Sequence, residues 1–166
     1  ERFGQRWADA DRNGCDTRND ILRRDLVDVT FKPGTRECVV VSGTLHDPYT
    51  GATFAFERGQ GTSELVPIDH IVPLAMAYEH GADGWAPEQR EQFANDPINL
   101  QATDRESNSS KSDQGPAGWL PRRSELSMHL CRALHPRRRD YRLTLDSGDA
   151  RAIAATLDHC TSEESR

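Results

Sequence analysis

The sequence predicts an α+β fold, a small antiparallel sheet with helices around it. Three observations lead there. Segments with the helical spacing of apolar residues alternate with short β-prone runs, and Pro, Gly, Asn and Asp punctuate the junctions. The 166 residues, 35% of them hydrophobic, suffice for one domain over residues 1–166 with a core of ordinary size. No stretch approaches the roughly 20 apolar residues that a membrane helix needs, and no heptad or solenoid period recurs.

The elements follow in order. From Asp20 to Val29 the spacing of Ile21, Leu22, Leu26 and Val29 predicts a helix, with Asn19 or Asp20 as its N-cap. Lys32-Pro33-Gly34 predicts a turn and Glu37 to Ser42 a strand. Asp47-Pro48-Tyr49-Thr50-Gly51 predicts a turn with Pro at its second position. The alternation from Thr53 to Glu57 predicts the returning arm of a hairpin. Leu65 to Asp69 and Ile98 to Ala102 read as short strands. Between them, a helix from Pro73 to His80 is stopped by Gly81, and a second opens at Pro87 and ends near Phe93. Ser107 to Ser112 reads as a short helix or turn. Helices from Ser124 to Leu134 and from Ala150 to Leu157 complete the prediction.

Mean hydropathy is -0.78 and the net charge is -6, with a pI near 5.5, a poor overall signature for binding a polyanion. The charge is uneven, however. Gln101 to Asp140 holds eight Lys/Arg against five Asp/Glu, +3 for that window and -9 for the remainder. Phosphate contacts are therefore expected in this window. Glu1 opens without an apolar leader, so any targeting peptide is expected to be removed or never present.

Cys15, Cys38, Cys131 and Cys160 lie far apart with no C-x-x-C pair, which disfavours a zinc cluster. An even count with long gaps fits two disulfides and an oxidising compartment. Of the three possible pairings, Cys15–Cys38 and Cys131–Cys160 close the shortest loops.

Asp69-His70 stands at the end of a predicted strand, followed by Ile71-Val72-Pro73-Leu74-Ala75. Downstream come Phe93-Ala94-Asn95-Asp96-Pro97-Ile98-Asn99-Leu100 and then Asn108-Ser109-Ser110-Lys111-Ser112-Asp113 at a predicted helix start. An Asp-His pair alone is weak evidence, but the order strand–His–strand–helix–Asn is specific. In these segments the chain resembles the His-Me finger (HNH) endonucleases, and most of all the secreted actinobacterial branch of DUF1524 type. Asn13-Gly14-Cys15-Asp16-Thr17-Arg18-Asn19-Asp20 and the Asp47–Gly51 turn share that likeness, which runs from about Trp7 to Trp119.

The resemblance implies a ββα-metal core over about residues 64–113 inside the α+β fold. It implies His70 as general base, Asp69 and Asn108 as metal ligands, Asn99 as the residue steadying the loop, and Lys111 as a basic group near phosphate. Arg122 and Arg123 are the foremost further candidates for substrate contact. Relatives commonly carry an acidic residue and a Trp where this chain has Met76 and Tyr78; Glu79 is the substitute carboxylate to consider. The implied activity is secreted, metal-dependent hydrolysis of DNA phosphodiesters, with RNA as a second substrate and 5′-phosphate products, by a monomer that touches no membrane.

The chemistry is coherent. A neutral imidazole with an ordinary pKa of about 6.5 can deprotonate water at physiological pH. One carboxylate and one amide carbonyl leave a hard divalent ion open positions for water and phosphate, which suits Mg²⁺ first and Mn²⁺ second. Side chains adjacent on a strand point to opposite faces, so Asp69 and His70 can serve one phosphate only where the strand ends or bends. Nothing resembles a base-reading helix, so weak sequence preference is expected.

A competing motif lies upstream. Asp9, Asp11, Asn13 and Gly14, with Asp20 at the twelfth place, follow the spacing of a calcium loop, although Asp20 replaces the bidentate Glu. The plainer reading is an Asx-rich turn capping the following helix, and structural Ca²⁺ is not expected. The motif nevertheless defines a second function class, a non-catalytic extracellular calcium-binding module; a nuclease toxin domain is a third.

Overall fold

The computed structural model describes residues 2–163, with the side chains of residues 135–139 and 159–163 outside the description. Helix α1, Thr17–Asp25, starts where the Asp16 carboxylate accepts the Asn19 N–H at 2.8 Å. The cap is therefore Asp16, not the predicted Asn19 or Asp20. The helix also stops short of Val29. Leu26–Phe31, rich in β-branched residues, leaves it as strand β1 and pairs with β2, Leu26 facing Leu45.

Strand β2, Val40–His46, begins three residues later than predicted. Arg36 and Glu37 take left-handed conformations, and Cys38 N–H closes a turn onto the Thr35 carbonyl at 3.0 Å. Strand β3, Thr53–Glu57, returns antiparallel to give the sheet order β1-β2-β3. The turn joining β2 to β3 is the predicted Asp47–Gly51 segment, with Gly51 at φ 71°.

A second, two-stranded sheet pairs β4, Ile68–His70, with β5, Leu100–Ala102, antiparallel and with Asp69 opposite Gln101. Both strands are shorter than predicted because short 3-10 turns, Ser63–Leu65 and Pro97–Asn99, take up the preceding residues. Helices α2, Leu74–Glu79, and α3, Pro87–Ala94, fill the connection. Gly81 stops α2 at φ 129°, a conformation that favours glycine. Helix α4, Arg105–Lys111, follows β5 directly, completing a β–β–α unit. Helices α5, Ser124–Asp140, and α6, Ser147–Glu163, pack together and both run longer than predicted.

The two-stranded sheet packs into one apolar cluster, and a second begins just past β4. Ile68, Leu100 and Ala102 pack with Leu22, Leu45 and Phe56 in the first; Ile71 and Val72, just past β4, pack with Met76, Phe93, Leu130 and Leu134 in the second. Burying each large aliphatic or aromatic side chain contributes roughly 1.5–3 kcal/mol, so Ile68 and Leu100 anchor β4 and β5 in the first cluster.

The Cys15–Cys38 disulfide ties the approach to α1 to the approach to β2 across 23 residues. Closing a loop of that size contributes about 3 kcal/mol in the chain-entropy description. Of the second predicted pair, Cys131 is buried in α5, and the Cys160 side chain lies outside the described residues. Among the described residues no helix is long and apolar enough to cross a membrane.

Candidate active site

Three backbone elements carry the predicted residues, and the contacts join Asn99 and Lys111 to the Asp69-His70 segment. Strand β4 ends at His70, and there Asn99 takes over the pairing. Its backbone carbonyl accepts Ile71 N–H at 2.8 Å, its side-chain oxygen accepts Val72 N–H at 2.8 Å, and its Nδ2 donates to the Val72 carbonyl at 3.2 Å. Fully buried, Asn99 clasps the bend that leads through Pro73 into α2. These three bonds fix the backbone just past the end of the strand that carries Asp69 and His70.

Asp69 points into the protein, 6% exposed. Its Oδ2 accepts the Tyr49 hydroxyl at 2.6 Å. Lys111 Nζ lies 3.1 Å from Oδ1 and 3.0 Å from Oδ2, and also donates to the His70 carbonyl at 2.8 Å. Lys111, itself 1% exposed, is therefore the internal ion-pair partner of Asp69. The sequence placed it near substrate phosphate; the fold instead turns it inward, because it is the last residue of α4 and faces β4. Burial first, then the Asp69 charge and hydrogen bond, push the Tyr49 hydroxyl well above its ordinary pKa, so it remains a donor at all working pH values.

His70 points the other way and is half-buried. Its Nε2 lies 2.9 Å from the Ala94 carbonyl. A carbonyl can only accept, so Nε2 carries the proton and Nδ1 keeps its lone pair. Burial lowers the imidazole pKa; the Ala94 bond and the Asp69 charge oppose this, while Lys111 and Arg6 add to it. The Ala94 carbonyl is set by its neighbour. Buried Asn95 donates to the Gln5 and Glu91 carbonyls at 2.9 and 3.0 Å and accepts Ala8 N–H at 2.9 Å, locking the amino-terminal segment onto the end of α3.

Asn108 stands on α4, its N–H bonded to the Asp104 carbonyl at 3.1 Å. Asp104 caps that helix, its Oδ1 accepting from Glu106 and Ser107 N–H at 2.9 and 3.0 Å. Arg122 and Arg123 are exposed and line a cavity of about 710 Å³ together with Tyr49, Ser107, Ser110 and Trp119. The cavity thus meets the tyrosine that touches Asp69. Met76 is core, Glu79 is exposed at the end of α2, and Tyr78 packs against Phe3 with Arg2 over its ring.

The upstream acidic turn closes on itself. Asp9 accepts Asn13 and Gly14 N–H, and Asn13 Nδ2 donates to Asp11 and Asp20 at 3.0 and 3.1 Å. Burial, and after it the charges of Asp11, Asp16 and Asp9, raise the Asp20 pKa, while the Asn13 bond opposes them.

No group of three or more His, Cys, Asp and Glu gathers in metal-binding geometry among the described residues. Two hard oxygen donors are nevertheless present. The Asp69 carboxylate has about four lone-pair positions and three donor contacts, and the Asn108 amide makes no side-chain hydrogen bond among the described residues. That donor set fits an oxygen-loving divalent ion keeping most of its water, which would share Asp69 with the Lys111 ammonium.

Sequence reasoning missed Tyr49, Asn95 and the Ala94 carbonyl. Tyr49 stood inside a recognised turn, where an aromatic among turn residues was the available signal. A backbone acceptor leaves no signal at all.

The family described as GmrSD restriction endonucleases, C-terminal domain, matches residues 16–145, a span that contains β4, β5 and α4 entire. An uncharacterized secreted protein of Arthroderma benhamiae is 34% identical over 148 residues, covering 88% of this chain and 68% of that protein. No solved structure matches. The expected kinship with nucleases is met at the level of that domain, and the chain belongs to the family of GmrSD restriction endonuclease C-terminal domains.

Proposed function

We propose that the chain is a metal-dependent endonuclease that hydrolyses nucleic-acid phosphodiesters with weak sequence preference. The observation that carries this reading is the His70 bond to the Ala94 carbonyl, which leaves Nδ1 as a basic lone pair at the end of β4. Nδ1 takes the proton from the attacking water, and the lowered pKa keeps the ring neutral at working pH. Asp69 and Asn108 hold the divalent ion, Mg²⁺ first and Mn²⁺ second, which when bound supplies positive charge to the scissile phosphate and the departing oxygen. Asn99 keeps the bend after His70 from relaxing, and Lys111 fixes the Asp69 carboxylate. Arg122 and Arg123 bind the phosphate backbone along the cavity beside α4.

An extracellular setting is supported by the Cys15–Cys38 disulfide and by the description of the fungal relative as secreted. DNA is the first substrate to test. Purified protein incubated with plasmid, single-stranded DNA and RNA, with and without EDTA, should cut at least the plasmid and lose activity on chelation. Asp69→Ala and Asn108→Ala should both raise the Mg²⁺ concentration needed and lower the rate. An unchanged metal requirement in both variants would overturn the ligand assignment.

A further inference from the structure

The turn joining β2 to β3 carries more than a hairpin needs. A tight connection asks only for Gly51 in its left-handed conformation. Here the Asp47 carboxylate, 2% exposed, receives five hydrogen bonds. Its Oδ2 accepts Tyr49 N–H at 3.1 Å, Thr50 N–H at 2.6 Å and the Thr50 hydroxyl at 2.7 Å, which fixes the turn itself. Its Oδ1 accepts the Thr103 hydroxyl at 2.6 Å and Asp104 N–H at 2.9 Å, reaching 56 and 57 residues along the chain to the junction of β5 and α4.

Both destinations lead to the proposed ion ligands. Asp104 caps α4 through two backbone N–H groups, and its carbonyl receives the Asn108 N–H. Asp47 therefore sets the origin of the helix turn on which Asn108 stands. Two residues after Asp47, the buried Tyr49 hydroxyl bonds Asp69 Oδ2 at 2.6 Å. The two ligands come from separate elements, β4 and α4, and no hydrogen bond between their side chains joins them among the described residues. The turn is fastened to both.

We propose that the Asp47–Gly51 turn is a positioning device for the ion site, with Asp47 and Tyr49 holding the Asp69 carboxylate and the Asn108 helix in mutual register. The proposal rests on the reading of Asp69 and Asn108 as the ligand pair. A bond from a neighbouring group to a ligating carboxylate orients the oxygen left for the ion, and losing such a partner typically weakens metal affinity about 10- to 100-fold. A plain structural role makes a different forecast: the Tyr49 ring, 5.0 Å from Trp119 and buried among Ile71, Val72 and Met76, would stabilise the fold and leave ion affinity alone.

Tyr49→Phe separates the two, because it keeps the ring and removes only the hydroxyl. Mg²⁺ and Mn²⁺ binding is measured by calorimetry on the intact chain, in the wild type and the variant, without nucleic acid. The expected result is a metal Kd raised about 10-fold, with kcat reduced and KM for plasmid nearly unchanged. Thr103→Val, which touches neither ligand and removes only the hydroxyl donated to Asp47, should weaken the ion in the same direction by a smaller factor; it also serves if Tyr49→Phe does not fold. Metal Kd values within twofold of wild type in the folded variants would overturn the proposal even if the enzyme cuts DNA. If the wild type binds neither ion, the ligand reading itself falls and takes this proposal with it.

Discussion

Replacing Lys111 by Met is the perturbation whose consequences differ most between the sequence and the structure. A surface lysine near phosphate could be removed with a stability change within about 0.5 kcal/mol. The structure instead shows an ammonium 1% exposed, 3.0–3.1 Å from both Asp69 oxygens and 2.8 Å from the His70 carbonyl. Removing one partner of a buried pair strands the other charge and costs about 3–5 kcal/mol. After Lys111→Met, Asp69 would retain only the Tyr49 hydroxyl, and the His70 carbonyl would lose its lysine donor. Total stabilities are about 5–15 kcal/mol, so the loss is a large fraction. With a urea dependence of about 2 kcal/mol per molar, a loss near 4 kcal/mol lowers the unfolding midpoint by about 2 M. Urea titration followed by circular dichroism, in EDTA, reads this directly. Adding Asp69→Asn should restore part of the loss, because neither charge is then left alone. A midpoint shift below about 0.5 M for the single variant, with a raised KM for plasmid, would refute the buried pair and return Lys111 to the phosphate.

Two further outcomes follow. Because burial lowers the His70 pKa from 6.5, the acidic limb of the kcat/KM profile should have its midpoint below 6.5. The same shift has a stability counterpart: below about 6.5 the unfolded chain takes up the proton more readily than the fold, so His70 contributes a loss of stability as pH falls. A midpoint at or above 6.5 would contradict a buried neutral histidine base. Reversing Arg122 and Arg123 to Glu should raise KM far more than it lowers kcat, with a penalty that shrinks as salt rises. Equal kinetics at low salt would move the binding face away from the cavity beside α4.

Much of the candidate site could be read from the sequence because it is composed of short, local signals. The order strand, Asp69-His70, Asn99, Asn108 marks residues whose roles depend on where a strand ends and a helix begins. Turn chemistry fared equally well: Gly81, Pro87 and the Asp47–Gly51 turn all fall where local conformation dictates. Boundaries failed where two periodicities overlap. Leu26 and Val29 satisfy a helical spacing with Ile21 and Leu22, yet pairing of Leu26, Val27, Thr30 and Phe31 with β2 makes this stretch a strand, because sheet hydrogen bonds and burial outweigh a few tenths of a kcal/mol of helix propensity. The inward turn of Lys111 was illegible for a related reason. Nothing in Asn-Ser-Ser-Lys says which face of α4 meets β4; only the tertiary placement of Asp69 does. Tyr49 and Asp47 act across 20 and 56 residues, distances at which a single sequence carries no pairing signal.

Cleavage by the His70→Ala variant tests the central claim most directly. The substitution removes a half-buried ring and one hydrogen bond to a backbone carbonyl, about 1 kcal/mol, so the protein should remain folded. Ion affinity should also stay near wild type, since the ring is not a ligand in this account. Plasmid cleavage in saturating Mg²⁺ should fall at least 100-fold, as expected for loss of a general base that contributes about 10²–10⁴-fold. A folded, Mg²⁺-binding His70→Ala protein that still cuts plasmid at near wild-type rate would contradict the account.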